Sequence, residues 1–488
     1  MTLLQNRKKH VYLVAILFAL ILVLALIFHY SIHIENALTS QPAEGFSVQV
    51  HTLRIIFEPV FGPLLFYLRA DQPLVEMLVL MLWAIIALFV ISFWKAFRNR
   101  KNSFLHTFWT GLKNWLVRVP ILIIIWVALI LIIIFLPLPS NTIVNHLHDT
   151  VLLNTHSHTY YSHDGLISQK NLMRWHKRNG FDAFFITDHN NHLKTLEFVQ
   201  AQKMGKIPES PLVFCGEEYS GSNHITLLGL QRDFKTKDMP DSTAIDSAHA
   251  NGGVGIIAHW FADEHRTIQY YIDCGADGFE IANQAEGLTY SRRIFRAIVE
   301  KCRENGLLMV GACDYHGYGS AAFTWNALEI PGWQNLAAEQ KRSSIMNIFR
   351  QHEESKIKVL VYRDRYVFSR KLVFLSPIFN LGYFRTLDVW QIVSWILWIL
   401  FLPLVASIGF VNKAGLWLRH PPQRIWGVLG FISSMFAIVI GAVLLSKVGM
   451  FKEYNNILKE YGSQFLGVGI VLGIYSLIIA SRKTHHSE

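Results

Sequence analysis

Six apolar runs, about residues 11–30, 74–94, 119–138, 387–411, 425–446 and 462–481, constrain this chain more than any other feature. Each is long enough to cross a hydrocarbon core of ~30 Å as a helix. Three lie toward each end of the sequence. The stretch between them has the alternating composition of a globular domain large enough for its own core. The 52% hydrophobic and 16% charged content is not that of an average soluble protein. The first run follows the basic "NRKKH" and leads to no convincing small-residue cleavage site, so it reads as a retained anchor. The expected organisation is a membrane region at 1–146, a globular domain at 147–375 and a second membrane region at 376–488, with three spans in each membrane region.

Charge orients this arrangement. Residues 149–386 hold 26 Lys/Arg and 26 Asp/Glu, so the net +10 belongs to the flanking regions, which hold 19 and 9. With the amino terminus in the cytoplasm, the start, 95–118, 412–424 and the tail carry 14 of those 19 cations. The positive-inside rule then puts the middle domain on the outer face of a multi-pass inner-membrane protein. The spans contain little that is ionisable: Glu76 sits near one end, and Gln391, Ser394, Ser433 and Ser434 are only mildly polar. Transport pathways need more than that, so anchoring is the expected role.

The middle domain alternates strand and helix patterns. "TVLLNTHSH" reads as a buried strand, and "SQKNLMRWHKRNG" as a helix capped by Ser168 and stopped at Gly180. The strand "FDAFFITDHNN", a helix over "HLKTLEFVQAQKMGK", and the strands "PLVFCGEEYS" and "HITLLGL" follow. Next come a helix "STAIDSAHANGG", the strands "VGIIAHW" and "DGFEIAN", the helix "LTYSRRIFRAIVEKCRENG" and the strand "LLMVGACDYHG". This alternation predicts an α/β fold with a largely parallel sheet or barrel, whose strand ends share one mouth. Cys215, Cys274, Cys302 and Cys313 all fall in this domain. An outer compartment permits disulfides. Cys215 and Cys313, in apolar runs, read as small hydrophobes, and no C-x-x-C pair suggests a thiolate zinc site.

His156, His158, His189, Glu218, His259, Asp314 and His316 each fall at or just past the end of a strand or strand pair. Residues two apart on a strand share a face, so His156 with His158, and Asp314 with His316, aim at the common mouth. Adjacent Glu217 and Glu218 face opposite ways, which leaves one of them for a metal. A mixed imidazole and carboxylate set suits Zn, Mn or Fe, and this many ligands implies two or three divalent ions. The pair His146 and His148, by contrast, reads as solvated linker.

The series "THSHTYYSHDG", "ITDHNN", "GEEYS…NHITLLGL", "GGVGIIAHW", "FEIAN" and "GACDYHG" resembles the PHP (polymerase and histidinol phosphatase) superfamily of metal-dependent phosphoesterases, over roughly residues 150–370. The resemblance implies a distorted seven-stranded (β/α) barrel, usually with a trinuclear metal centre. By matching motif it assigns His156, His158, Asp164, His189, Glu218, His224, His259, Asp314 and His316 as metal ligands. It prefers Glu218 to Glu217 as a bridging carboxylate and gives Asp188 an orienting role. Two departures stand out: His163 is inserted in "SHDG", leaving open whether His163 or Asp164 faces the metal, and Trp260 stands where proline is common.

Clustered divalent ions lower the pKa of a bound water and clamp phosphoryl oxygens during in-line displacement. The expected activity is phosphoester hydrolysis by a metal-bound hydroxide. Asp188 and His163 are the candidates for proton transfer to the leaving group, or they only orient ligands. Arg174, Lys177, Arg178, Lys194 and Arg266 are available for phosphate, or are solvated helix faces. The balanced charge of the domain argues against nucleic acid. Tethering to a membrane favours a phosphorylated small molecule or a lipid head group as substrate. Two other readings remain: a receptor or scaffold that keeps the metal without turnover, and an amidohydrolase-type enzyme, which also uses H-x-H strands.

Overall fold

In the computed structural model, which describes residues 16–70, 73–98, 103–260, 266–285, 291–319, 321–365, 370–407 and 423–481, the chain divides into two units. One comprises Met1–Tyr30, Leu53–Leu138 and Arg365–Glu488, and the other Ser31–Thr52 with Pro139–Asp364.

The second unit carries the strands. They are β1 (His33–Asn36), β2 (Gln41–Pro42), β3 (Phe46–Gln49), β4 (Thr142–Asn145), β5 (Thr150–Asn154) and β6 (Ala183–Ile186). Then come β7 (Leu212–Ser220), β8 (His224–Leu228), β9 (Val254–Ile257), β10 (Gly278–Asn283), β11 (Leu308–Ala312), β12 (Thr324–Glu329) and β13 (Ile357–Arg363). The helices are α1 (Gln169–Arg178), α2 (Leu193–Lys203), α3 (Asp241–Ala250), α4 (Ile268–Asp273), α5 (Arg292–Asn305) and α6 (Ala338–Arg350). Their ends follow local chemistry. Ser168 Oγ accepts the Asn171 N–H to cap α1, and Gly306 stops α5 in the left-handed region at φ 65°.

Eleven strands form one sheet in the order β11-β10-β9-β8-β7-β6-β5-β12-β13-β1-β2. The pairs β5/β6, β6/β7, β9/β10 and β10/β11 are parallel. β8 runs antiparallel to both its neighbours, and β12 to both of its own. Strands such as β6 are buried on both faces, as sheets covered by helices require.

The expected distorted seven-stranded (β/α) barrel is met here by a large mixed sheet of eleven strands. The described strands form an open order with β11 at one edge, joined past β5 only by the isolated bridge Ser157–Tyr315. The unit also begins and ends elsewhere than 147 and 375, and it draws in residues 31–52. β1 pairs with β13 through Ile34 and Tyr362, and β3 pairs with β4. Strands of two to four residues leave no periodic run to read. All four cysteines are free, with Cys215, Cys302 and Cys313 buried.

The other unit is helical. Among the described residues two helices, Val75–Arg98 and Asn455–Ile478, are long and apolar enough to cross a membrane. The pair Lys371–Thr386 and Val389–Phe401, bent by 109°, makes a third if it is one broken span. Six were expected. The runs at 11–30 and 425–446 appear as the shorter apolar helices Ile16–Ile27 and Gly430–Ser446, and 119–138 lies largely in the helix Phe104–Phe135. Residues 11–15 and 408–411 lie outside the described residues. The unit buries more charge than the runs suggest. Arg54 Nε lies 3.2 Å from Glu58 Oε2, the Tyr383 hydroxyl donates to Glu58 at 2.7 Å, and Asn380 Nδ2 donates to Glu76 at 2.7 Å.

Candidate metal centre

The parallel strands deliver their carboxyl ends to one mouth. β5 continues into Thr155–His158, β6 into Asp188 and His189, β9 into His259, and β11 into Asp314 and His316. β8 runs the other way, so His224 at its first residue reaches the same end. The β5 and β11 extensions are tied together by His158 N–H to Tyr315 O at 2.8 Å and Asp314 N–H to His156 O at 2.9 Å. Asp314 and His259 hold positive φ, 48° and 24°, a conformation that non-glycine residues seldom adopt away from functional sites.

Three groups of side chains could each hold an ion: His156, His158, Glu218 and Asp314; His158, Asp164, His189 and His316; and His189, Glu218 and His224. In the first, His156 Nε2 and His158 Nε2 lie 3.0 Å apart, and both stand 3.2 Å from Glu218 Oε2. Asp314 Oδ1 is 3.3 Å from His156 Nε2 and 3.1 Å from His158 Nε2. In the second, Asp164 Oδ2 lies 3.2 Å from His189 Nε2 and 3.1 Å from His316 Nε2. His316 Nδ1 donates to the Asp314 carbonyl at 2.8 Å, which leaves Nε2 as the ligand atom.

Glu218 joins the groups. Its Oε2 faces His156, His158 and, at 3.2 Å, His189 Nδ1. Its Oε1 faces His224 Nδ1 at 2.9 Å and His259 Nε2 at 3.1 Å. His259 is in none of the three groups but meets this same oxygen. Glu217 points the other way, to His192 and the Thr236 hydroxyl. Alternation along β7 thus separates the two glutamates as the pleat requires.

Charge tests whether the set fits cations. Burial favours neutral Glu218, but the imidazoles of His189, His156 and His224 outweigh it and hold the carboxyl well below its usual range. Burial likewise disfavours protonated His156, yet Asp314, Glu218 and Glu280 hold its pKa well above the usual value. His158 is pushed up to about 10 despite burial, by its bonds to Asp314 and Glu218. At His156 and His158 the carboxylates therefore call for positive charge, which bound divalent ions would also supply, whereas burial lowers the pKa of His189. Nδ1 of His259 has no hydrogen-bond partner, and Nδ1 of the buried His189 makes no aligned hydrogen bond although Glu218 Oε2 lies 3.2 Å away. The donor set fits a divalent centre.

The inserted residue in "SHDG" leaves Asp164 facing the other ligands, with His163 Nε2 3.6 Å from the same Asp164 Oδ2 and its ring 4.6 Å from that of His189. Burial drives the His163 imidazole down to about 4 against the pull of Asp164, so the ring is neutral at neutral pH. Asp188 is fully buried and spends both oxygens on Thr159, accepting its N–H and its hydroxyl at 2.6 Å each. Burial pushes it up to about 6.

Sequence reasoning missed Glu280. Its Oε1 accepts from His156 Nδ1 at 2.8 Å, while its Oε2 accepts the His259 N–H and the Asn283 amide, each at 2.9 Å. A carboxylate in the middle of the apolar run "GFEIAN" was the available signal. Of the cations proposed for phosphate, Lys194 pairs with Glu197 at 2.8 Å, Arg174 donates to Asn171 at 2.9 Å, and Arg266 lies over Tyr270 at 5.1 Å. His146 shares a hydrogen bond of 2.8 Å with Ser47 Oγ, and neither it nor His148 enters a ligand group among the described residues.

Residues 154–237 match the PHP domain. That segment holds the H-x-H pair, Asp164, His189, Glu218 and His224. No curated protein matches this chain. Among solved structures, the chain is similar to a two-domain protein from Bacteroides vulgatus containing a predicted PHP-like metal-dependent phosphoesterase. The identity is 18% over 47% of this chain and 70% of that one, with a TM-score of 0.31. PsfC from Pseudomonas syringae is similar at 14% identity over 48% and 99%, TM-score 0.32. An amidohydrolase from Chromobacterium violaceum is similar at 15% over 42% and 96%, TM-score 0.28.

Proposed function

We propose that this chain is a membrane-anchored, metal-dependent phosphoesterase that hydrolyses a phosphomonoester or phosphodiester, with a lipid-derived ester as the favoured substrate. The observation that carries the reading is Glu218, whose two oxygens each face histidines of a different ligand group. It sits within the segment that matches the PHP domain. His156, His158, Asp164, His189, Glu218, His224, His259, Asp314 and His316 would hold two or three divalent ions, Mn, Zn or Fe. Such ions supply a water of lowered pKa and a clamp on phosphoryl oxygens.

The chain's own residues prepare that chemistry. Glu280 fixes the tautomer of His156 by accepting the hydrogen bond from its Nδ1–H, leaving Nε2 to face the mouth. Asp188 holds Thr159 and with it the loop that carries Asp164, so its role is to position. His163, beside Asp164, is the remaining candidate for proton transfer to the leaving group. The long apolar helices serve as anchors, with the amino terminus cytoplasmic and the sheet unit on the outer face.

The test is hydrolysis of an aryl phosphate monoester and diester by the purified full chain with Mn or Zn, beside a His156→Ala/His158→Ala double variant. Turnover that the double variant loses supports the reading and shows the ester class. Absence of turnover from folded, metal-loaded protein refutes it. Hydrolysis of nucleotides with every lipid-linked phosphate ignored would remove the lipid preference alone.

A further inference from the structure

A second cavity, of about 550 Å3, opens in the sheet unit between α5, the β1–β2 hairpin and the outer side of β10 and β13. Its walls combine two chemistries. Arg292, Arg296 and Arg303 line it from α5 and Arg363 from β13. Leu38, Phe295, Val299, Ile281 and Val361 supply an apolar floor. Residues 292, 296, 299 and 303 are spaced by four, three and four, which puts them on one stripe of the helix. The arginines therefore share a face with Val299.

Charge at this cavity is uncompensated. Arg363 Nε pairs with Glu35 Oε1 at 3.3 Å. Among the described residues, Arg292, Arg296 and Arg303 make no ion pair, although Glu300 lies on the same wall, four residues from Arg296 and three from Arg303. Lys301, on another side of the helix, pairs with Glu304 at 2.6 Å. Cations thus outnumber anions around the cavity, and the partly buried Leu38 and Phe295 lie among them, packed on the buried Val299, Val361 and Ile281. Guanidinium forks suit phosphate oxygens, and a solvated helix face does not need an apolar floor.

We propose that this cavity binds an anionic phospholipid, its phosphate held by Arg292, Arg296 and Arg303 and the first carbons of an acyl chain laid on Leu38 and Phe295. Charge complementarity selects the anion and the floor selects the chain. Among the described residues two helices are long and apolar enough to cross a bilayer, which would bring the chain to such lipids. The site is separate from the metal centre and stands whether or not that centre hydrolyses phosphoesters.

The experiment is calorimetric titration of the full chain, in neutral maltoside micelles, with octylphosphonate, whose carbon–phosphorus bond a phosphoesterase leaves intact. Methylphosphonate is the head-only control. Wild type is expected to bind octylphosphonate at least tenfold more tightly than methylphosphonate. Arg296→Gln/Arg303→Gln should lose at least tenfold in octylphosphonate affinity, Leu38→Asp should lose the advantage of the long chain, and Lys301→Gln should bind as wild type does. Micelle partition is common to all these proteins and cancels between variants, and titration into protein-free micelles fixes the free octylphosphonate for the comparison with methylphosphonate. Both arginines are exposed with no ion pair to lose, so the double variant keeps its fold and its turnover of aryl phosphate. Dihexanoyl phosphatidylglycerol should displace the phosphonate from wild type. Unchanged octylphosphonate affinity in the arginine variant overturns the site. Equal affinity for the two phosphonates overturns the apolar half, and failure of displacement overturns the lipid assignment.

Discussion

The two ends of the sheet both gather histidines around carboxylates, and they do so for different ends. At the mouth, Glu218 lies within 3.2 Å of His156, His158, His189, His224 and His259. At the opposite end Asp277, just before β10, accepts from His249 Nε2 at 2.7 Å, from His352 Nε2 at 2.8 Å and from the Gly255 N–H at 2.6 Å. There the hydrogen bonds close on themselves: each oxygen has its donor, and both histidines are part-exposed. At the mouth more ring nitrogens converge than one carboxylate can serve, and those of His189 and His259 include atoms that make no aligned hydrogen bond. Composition is the same at both ends. The difference lies in surplus donors, which mark a ligand cage, against matched donors, which mark a staple between α3, β10 and the segment after α6.

Removing ligands should separate the two ends most sharply. His156→Ala/His158→Ala should lower phosphoester turnover more than the about 10–100-fold typical of outer-shell changes, together with bound metal measured by elemental analysis. An active, metal-replete double variant would erase the distinction. Glu280→Gln, which keeps shape but weakens the hold on His156 Nδ1, should cost about 10–100-fold in turnover or metal affinity. Asp277→Asn should leave turnover and metal content alone and lower the stability of the sheet unit by about 1–3 kcal/mol, read by chemical denaturation. A loss of metal in that variant would mean that the two ends are not independent.

The smallest effect is in pH. Asp277 raises the pKa of His249 and of His352 above the ordinary 6.5, by hydrogen bonding in each case. Burial favours neutral Asp277, but these two histidines and the Gly255 N–H hold its carboxyl below 3.8. A raised histidine contributes stability that is complete below its unfolded value and fades as pH rises through its folded one. A depressed carboxylate contributes above its unfolded value and loses that contribution in acid. The stability gap between wild type and Asp277→Asn should therefore be widest between the two unfolded values and shrink as pH rises past 6.5. A gap constant from acid to alkaline pH would show that the staple works through packing rather than charge.

Much of the mouth was legible because strand periodicity is local. Two residues apart on β5 means one face, and adjacent residues on β7 mean two, which is how Glu218 and Glu217 part company. The direction of β8 had a signal too. Only Gly221, Ser222 and Asn223 separate it from β7, far short of the dozen or more residues that a parallel crossover needs, so a hairpin was forced. Glu280 was hidden by its surroundings, being one charge in an apolar run. The recruitment of residues 31–52 had no local signal at all. The pairing of Ile34 with Tyr362 joins positions far apart in sequence through strands too short to show a period. Asp277, His249 and His352 likewise meet only in the folded chain.

The two-sided placement of Glu218 has a thermodynamic consequence. Ligand groups that share a carboxylate cannot fill independently. A first bound cation would fix the Glu218 side chain and take the place of protons on the neighbouring imidazoles, and whatever factor it changed the second group's affinity by, the second ion would change the first's by the same one. Metal uptake should then follow a proton-releasing isotherm rather than a sum of separate bindings.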